Sequence, residues 1–161
     1  MDEPANSPPV GSVHAIHVSD GGVPKSEVQC ARVAAHGLEG DRQEHTRFHG
    51  GPERAVCVFG LDVVRRLQAE GHPIQPGSTG ENLTLDGLDW AAVSVGSRLC
   101  FAGGVELEVL SFADPCKLIA ASFLDSDFRR IDAERRPGEG RAYTRVAKTG
   151  VLTRGESVTL R

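Results

Sequence analysis

Cys116 lies in a segment whose residue types could do chemistry, S-F-A-D-P-C-K-L at residues 111–118. The apolar run before it ends at Asp114-Pro115, because proline has no backbone donor and cannot continue a central ladder. Cys116 is therefore expected in the first turn of a helix, where unpaired N–H groups and the helix dipole favour an anion. Together with Lys117, this position favours the thiolate, which is the form that attacks electrophiles and binds soft metals. The alternative is a buried, inert cysteine, as most free cysteines are.

The loop between residues 40 and 54 combines turn-forming glycines with charged side chains. Asp41 and Arg42 put an acid and a base in a tight turn, and Gly50-Gly51 would let the backbone approach a ligand closely. With Arg54 a few residues on, exposed N–H groups and a guanidinium predict a cradle for an oxyanion or a phosphate. The alternative is that the glycines only turn the chain and that Asp41 pairs with Arg42 or Arg54.

A second loop and a late strand carry further candidates. Glu81 would serve as a general base if it were desolvated. Asn82 both donates and accepts hydrogen bonds, which suits either the edge of a heterocycle or a brace for its own loop. Arg141 and Arg145 flank Tyr143 on a predicted strand, so the three share one face. That face would bind anions if it points into the mouth of a barrel, and it would be ordinary surface if it points outward.

Two histidines raise the question of a metal. His45 and His49 are four residues apart and, with Cys116, would supply nitrogen and sulfur ligands. This spacing makes a good ligand pair only on a helix, and the glycines directly after His49 favour a loop. A metal site of Cys116, His45 and His49 is one hypothesis, and isolated surface histidines are the other. His49, like Glu81, is also a candidate catalytic base.

Size and composition limit the class of protein. The 161 residues predict one domain that buries a core without disulfides, and the net charge of −4, with no long basic block, argues against nucleic-acid or membrane-surface partners. Apolar runs are shorter than a membrane span, and the first residues do not resemble a signal peptide. The four cysteines have no CxxC spacing, and three lie in apolar strand-like runs, so we expect reduced core cysteines in a cytoplasmic protein.

The pattern of elements is mainly β. Predicted strands cover residues 10–19, 28–35, 54–59, 82–85, 99–102, 105–110, 142–147 and 157–160, a helix covers 61–70, and helical sequence follows Cys116 to about residue 136. With 19 glycines and many short strands, the sequence predicts a β-barrel with two or three peripheral helices. Residues 1–9 are expected to be a disordered tail, and residues 10–161 a single barrel domain.

Three blocks of sequence match one family in order. They are G-L-E-G-D-R-Q at residues 37–43 followed by H-G-G-P-E-R-A-V-C-V-F at 49–59, P-G-S-T-G-E-N-L at 76–83, and Pro115-Cys116. From about residue 10 to 160 the chain resembles a stand-alone MOSC domain, the module named for the C-terminal part of eukaryotic molybdenum-cofactor sulfurase. Cys116 stands where the family has its hallmark cysteine. The resemblance implies a β-barrel, a pocket ringed by these loops, and a role linked to molybdenum cofactor or to sulfur carried on the cysteine.

The resemblance implies an enzyme in which Cys116 either ligates the molybdenum of a pterin cofactor or carries sulfur as a persulfide, and stand-alone members resemble reductases of N-hydroxylated bases. Pyridoxal phosphate is not expected, because in the sulfurase it belongs to a separate domain. The residues expected to bind the cofactor are Asp41, Arg42, Gly50, Gly51, Arg54, Asn82, Lys117, Arg141 and Arg145.

Two other functions stay open. One is a carbon–sulfur lyase, either metal-free or using a divalent metal, with Glu81 or His49 as the base. The other is a non-catalytic module that carries sulfur or cofactor to a larger enzyme. Because a chain this short would leave much of a pterin exposed, a homodimer or a partner reductase is expected in addition to a small-molecule substrate.

Overall fold

The fold is built from short strands that alternate between buried and exposed side chains. The computed structural model describes residues 7–21, 23–41 and 51–161. Its strands, in chain order, are β1 (Val10–Val18), β2 (Ser26–Val28), β3 (Cys30–Ala34), β4 (Gly37–Leu38), β5 (Val56–Gly60), β6 (Leu83–Asp86), β7 (Arg98–Phe101), β8 (Glu106–Phe112), β9 (Ala142–Lys148), β10 (Gly150–Thr153) and β11 (Ser157–Leu160). The α-helix α1 (Leu61–Ala69) follows β5 directly. Five short 3-10 helices complete the described elements: Pro52–Arg54, Trp90–Ala92, Lys117–Ser122, Leu124–Ser126 and Phe128–Ile131.

Seven of the described strands form a closed ring. The order is β1-β11-β7-β8-β9-β5-β6, and β6 pairs with β1 to close it. Every pairing around the ring is antiparallel except β5 with β6, which is parallel. The predicted mainly β barrel with peripheral helices is confirmed. Outside the ring, β2 pairs with β1 in antiparallel orientation. The strands β10, β3 and β4 form a separate three-stranded sheet.

The parallel pair requires a crossover, and α1 supplies part of it. An antiparallel neighbour can be reached by a tight turn, whereas a parallel one cannot. The helix begins after Gly60 and buries Leu61, Val63, Val64 and Leu67, so all five residues of β5 are buried. Trp90 packs edge-on against Phe59 at 6.5 Å between ring centroids and donates its indole N–H to the Gly140 carbonyl at 2.7 Å. Trp90 is therefore a core side chain.

The segment after Cys116 differs from the prediction. The sequence predicted helix to about residue 136, but this stretch forms three short 3-10 helices. Asp125 and Ser126 have φ of 53° and 56°, a left-handed conformation that interrupts a right-handed helix. Most charged side chains of this segment are exposed, but one arginine is buried. Arg130 is 7% exposed and bonds Glu70, beyond the end of α1, and Glu139, so its partners lie outside the segment.

The four cysteines are free, and only part of the core prediction is confirmed. Cys57 is buried in β5, but Cys100 is half-buried in β7 and Cys30 is exposed. Cys30 lies at the first position of β3, which alternates exposed and buried residues, so a strand-like run was not enough to place its thiol. No helix in the described parts of the chain is both long and apolar enough to cross a membrane.

Gly37 allows a close backbone contact that can be tested. Its φ is +125°, and a Cβ there would lie 2.3 Å from the Ala55 carbonyl oxygen. Gly104 has a similar φ of +103°, but a Cβ there would meet nothing within 4 Å. We expect Gly104→Ala to lower the free energy of unfolding by about 1 kcal/mol, the cost of a left-handed residue. Gly37→Ala should cost about 2 kcal/mol more, because backbone must also move. Equal losses in denaturant titrations would contradict the contact.

Candidate functional site

Cys116 lies at the end of a barrel strand, as the sequence predicted. The chain leaves β8 at Phe112, and Cys116 is the residue before the 3-10 helix Lys117–Ser122. The Ala113 N–H donates to the Arg141 carbonyl at 2.7 Å, which fixes the exit of the Cys116 segment against the start of β9. The thiol residue is half-buried, an environment that combines access with partial exclusion of water.

Tyr143 connects Cys116 to the rest of the site. Its ring lies 5.2 Å from the Arg54 guanidinium carbon, a cation–π distance. Its side chain packs with Cys57 and Ala113. Burial raises the pKa of the Tyr143 phenol to about 12, and the charges of Cys57, Arg141, Arg54 and Cys116 all act on it. These groups therefore share one electrostatic neighbourhood.

Glu81 is a fully buried carboxyl group. Oε1 accepts a hydrogen bond from the Thr79 hydroxyl at 2.9 Å, whereas Oε2 is buried and has no hydrogen-bond partner among the described residues. Burial raises the pKa of this carboxyl, and the opposing effects of its hydrogen bonds and of Arg141 are smaller. The desolvation that the sequence required of a base at this position is therefore present.

Arg141 lies between the Glu81 loop and the Cys116 segment. It is 7% exposed, and one of its terminal nitrogens donates to the Thr79 carbonyl. Its Nε is buried and lacks a hydrogen-bond partner in the described parts of the chain. No carboxylate of those parts, Glu81 included, forms an ion pair with it. Arg141 thus brings a buried positive charge, with one unfilled donor, to this end of the barrel.

Asp41 and Asn82 belong to a buried network. Lys25 Nζ lies 2.8 Å from both Asp41 carboxylate oxygens, and the Asn82 amide donates to Asp41 at 2.9 Å. Asn82 also accepts from the Cys57 N–H at 3.0 Å and donates to the His17 carbonyl at 3.2 Å. The Asn82 brace proposed from the sequence is therefore present. Asp41 has an internal partner, Lys25; among the described residues Arg54 forms no ion pair with it, and Arg42 lies outside the described residues.

The remaining predicted residues divide into two groups. Lys117 is exposed beside Cys116, Gly51 has φ +94° and precedes the 3-10 helix that carries Arg54, and Arg145 pairs with Glu108 at 2.6 Å. The charge of Arg145 is therefore partly neutralised by a carboxylate, unlike that of Arg141. The other predicted residues, Arg42, His45, His49 and Gly50, lie outside the described residues.

Metal binding has no support from the described side chains. Within residues 7–21, 23–41 and 51–161, no three His, Cys, Asp or Glu side chains lie close enough to hold a metal ion. The site of Cys116, His45 and His49 stays a prediction, since both histidines lie outside those ranges.

A cleft formed partly by the residues just before Cys116 is acidic. It has a volume of about 270 Å³ and is lined by Phe112, Ala113, Asp114, Asp132, Ala133 and Glu134. Its three carboxylates make it acidic, and it contains none of the predicted site residues. It therefore does not suit an anionic ligand.

The sequence analysis did not identify three buried residues of this region: Thr79, Lys25 and Cys57. Thr79 lies within the P-G-S-T-G-E-N-L block and could have been noticed as a hydroxyl two residues before Glu81. Lys25 and Cys57 gave no comparable signal. Burial raises the pKa of the Cys57 thiol to about 11, so it stays neutral beside Tyr143.

The Lys25–Asp41 ion pair should contribute strongly to stability. Both side chains are about 95% buried, being 4% and 5% exposed. Lys25→Met removes the ammonium charge that compensates a buried carboxylate, and we expect a loss of about 3 kcal/mol in the free energy of unfolding. Arg32→Met breaks an exposed pair with Glu39 and should cost less than about 1 kcal/mol. Similar losses for the two variants in urea titrations would argue against a buried pair.

Glu81 should make stability depend on pH. Because its pKa is higher in the folded state than the ordinary value of 4.5, the stability it contributes is present below that value and is lost as pH rises through the folded pKa. The free energy of unfolding of the wild type should therefore fall with rising pH relative to Glu81→Gln. Glu70→Gln is the control of opposite sign, since a hydrogen bond from Arg130 lowers the Glu70 pKa. The same pH trend in both comparisons would refute the Glu81 assignment.

The geometry can be compared with known proteins. The family model described as MOSC domain matches residues 45–159. The chain is 31% identical to Protein YiiM of Escherichia coli (strain K12) over 99 residues, 59% of this chain and 44% of YiiM. It is 28% identical to the uncharacterized protein YflK of Bacillus subtilis (strain 168) over 124 residues, 76% of this chain and 55% of YflK. It thus spans about half the length of these curated relatives.

A solved structure agrees in fold. The crystal structure of YiiM from Geobacillus stearothermophilus superimposes with a TM-score of 0.72, covering 95% of this chain and 75% of that one at 22% identity. The closed barrel, the cysteine at the end of β8 and the match over most of the sequence agree with one another. The chain belongs to the MOSC domain family.

Proposed function

We propose that this MOSC domain binds a molybdenum cofactor at the mouth of its barrel and acts as a reductase of N-hydroxylated compounds. In this proposal Cys116 is the protein ligand of the metal, and Arg54 and Arg141 hold the phosphate of the pterin. The observation that carries the proposal is that a half-buried thiol, Cys116, and two arginines without a carboxylate partner among the described residues all act on the buried Tyr143 side chain. A soft thiolate suits a soft, high-valent metal, and guanidinium groups suit phosphate.

The residues present fit such a group. The buried Nε of Arg141 has no partner in the described parts of the chain, and buried donors in native proteins are rarely left unsatisfied. Arg54 is exposed and its guanidinium is supported by the Tyr143 ring, so it is oriented without being neutralised. Lys117 adds a third cation beside Cys116. The cofactor would supply the redox chemistry, and these side chains would bind and orient it.

The reaction sets a proton and electron requirement. Reduction of an N–OH group to N–H consumes two electrons and two protons and releases water. The proposal therefore includes a partner reductase as the electron source. Water can supply the protons, because Cys116 is only half-buried.

Two other functions make different use of the same residues. A carbon–sulfur lyase would need Glu81 or His49 as a base, and the buried, desolvated Glu81 is the observation that favours it. A carrier module would need only a reactive Cys116 that is loaded stoichiometrically and does not turn over. The divalent metal of the lyase alternative has no cluster of ligands among the described residues.

Metal content after expression with molybdate tests the proposal. We expect close to one molybdenum per chain in the wild type and less than a tenth of that in Cys116→Ser, because the hydroxyl is a poor substitute for a thiolate ligand. Arg54→Gln combined with Arg141→Gln should lower the molybdenum content while leaving the thiol in place. Elemental analysis by mass spectrometry measures all three.

One control variant and two other outcomes distinguish the alternatives. Cys30→Ser removes an exposed thiol on β3 and should leave the molybdenum content unchanged. Zinc, manganese or iron in place of molybdenum would support the lyase. A protein without metal but with a persulfide on Cys116 would support the carrier, and either result would overturn the reductase proposal.

A further inference from the structure

Glu81 and Arg141 are both buried and each has a polar atom without a hydrogen-bond partner in the described parts of the chain, Glu81 Oε2 and Arg141 Nε. They lie on opposite sides of Thr79, whose hydroxyl donates to Glu81 and whose carbonyl accepts from Arg141. The two charged ends are not within ion-pair distance of each other. A buried carboxylate without a direct cationic partner is costly, so this arrangement favours a protonated Glu81.

The other titratable groups nearby leave Arg141 as the main buried charge. Lys25 and Asp41 cancel each other through their own ion pair. Burial raises the pKa of Cys57 to about 11 and that of Tyr143 to about 12, so both are neutral in ordinary buffers. If Glu81 ionised, its charge would offset that of Arg141. While Glu81 keeps its proton, the Arg141 charge is not offset, and it acts on Tyr143, the side chain that the Cys116 thiol also influences.

We propose that Glu81 determines the specificity of the Cys116 site. By retaining its proton, Glu81 leaves the positive charge of Arg141 uncompensated and available to a ligand. The site therefore prefers anionic electrophiles to neutral ones of the same size. This inference rests on the proposed ligand site at Cys116, but it does not depend on molybdenum or on turnover. Glu81 is not in contact with the ligand in this proposal. It acts through Arg141, and its ionisation at higher pH removes the preference.

Alkylation of Cys116 tests the inference on the full chain expressed without molybdate, so that no metal blocks the thiol. Iodoacetate is anionic and iodoacetamide is neutral, and both attach to the thiolate sulfur with loss of iodide. The ratio of their rate constants therefore cancels the titration of the thiol itself and reports the local potential. The extent of modification is read by mass spectrometry of the peptide that carries Cys116, which separates it from Cys30 and Cys100.

In the wild type we expect the iodoacetate-to-iodoacetamide ratio to fall by about threefold to fivefold between weakly acidic and weakly alkaline pH, the effect of one unit charge under partial screening. Glu81→Gln should hold the ratio at its low-pH value throughout. Arg141→Gln should lower the ratio at every pH and move its fall to higher pH, because Arg141 lowers the Glu81 pKa, while Arg141→Lys should restore part of the ratio. Arg98→Gln loses the same charge from an exposed pair with Glu106 and should behave like the wild type.

A wild-type ratio that does not change with pH would overturn the inference, and so would a ratio that still falls in Glu81→Gln. If Glu81→Gln does not fold, the wild-type profile and the Arg141 variants decide the question without it. Failure here is distinguishable from failure of the cofactor proposal. A pH-independent ratio with normal molybdenum content rejects only the role of Glu81, and absent molybdenum with the expected ratio rejects only the cofactor.

Discussion

The buried amide of Asn82 is the interaction on which the arrangement of the site depends. It precedes β6, the strand that runs parallel to β5, and its side chain accepts from the Cys57 N–H on β5 while donating to the His17 carbonyl on β1. The Asn82 backbone carbonyl also accepts from the His17 N–H at 2.7 Å. One residue therefore joins the strands on both sides of β6. Because the same amide donates to Asp41, it also holds the backbone near Asp41 against the start of β6.

The polar residues of this region form two groups that differ in how many hydrogen bonds they make with the protein. Asn82, Asp41 and Lys25 bond one another, and that network holds the strands together. Arg54, Arg141 and Cys116 form fewer hydrogen bonds and ion pairs with the described residues. Cys116 lies in the segment that follows the end of β8. Groups with satisfied bonds maintain the fold, whereas groups with unfilled hydrogen-bonding capacity are the ones available to a ligand.

The sequence predicted the barrel because strand period and glycine turns are local signals. The bounds of β11 and the position of α1 agree to within a residue with the prediction. Local signals were insufficient after Cys116, where Arg130 bonds residues at positions 70 and 139, and the backbone follows those partners instead of a helical period. For the same reason β4 and β10 were missed. They are short and are defined mainly by pairing with β3.

Long-range pairing also explains why the sequence did not point to Lys25 as a partner of Asp41. The sequence offered arginines within a few residues, but the buried carboxylate pairs with Lys25, sixteen positions earlier, across the turn that carries β2 and β3. Sequence spacing limits which charged groups can come into contact. Burial determines which charged groups need a partner inside the protein. A carboxylate that is 5% exposed requires a compensating charge inside the protein, and Lys25, itself 4% exposed, supplies it. The arginines of the site are thereby left without that structural duty, which is the condition for their charge to act on a ligand at Cys116.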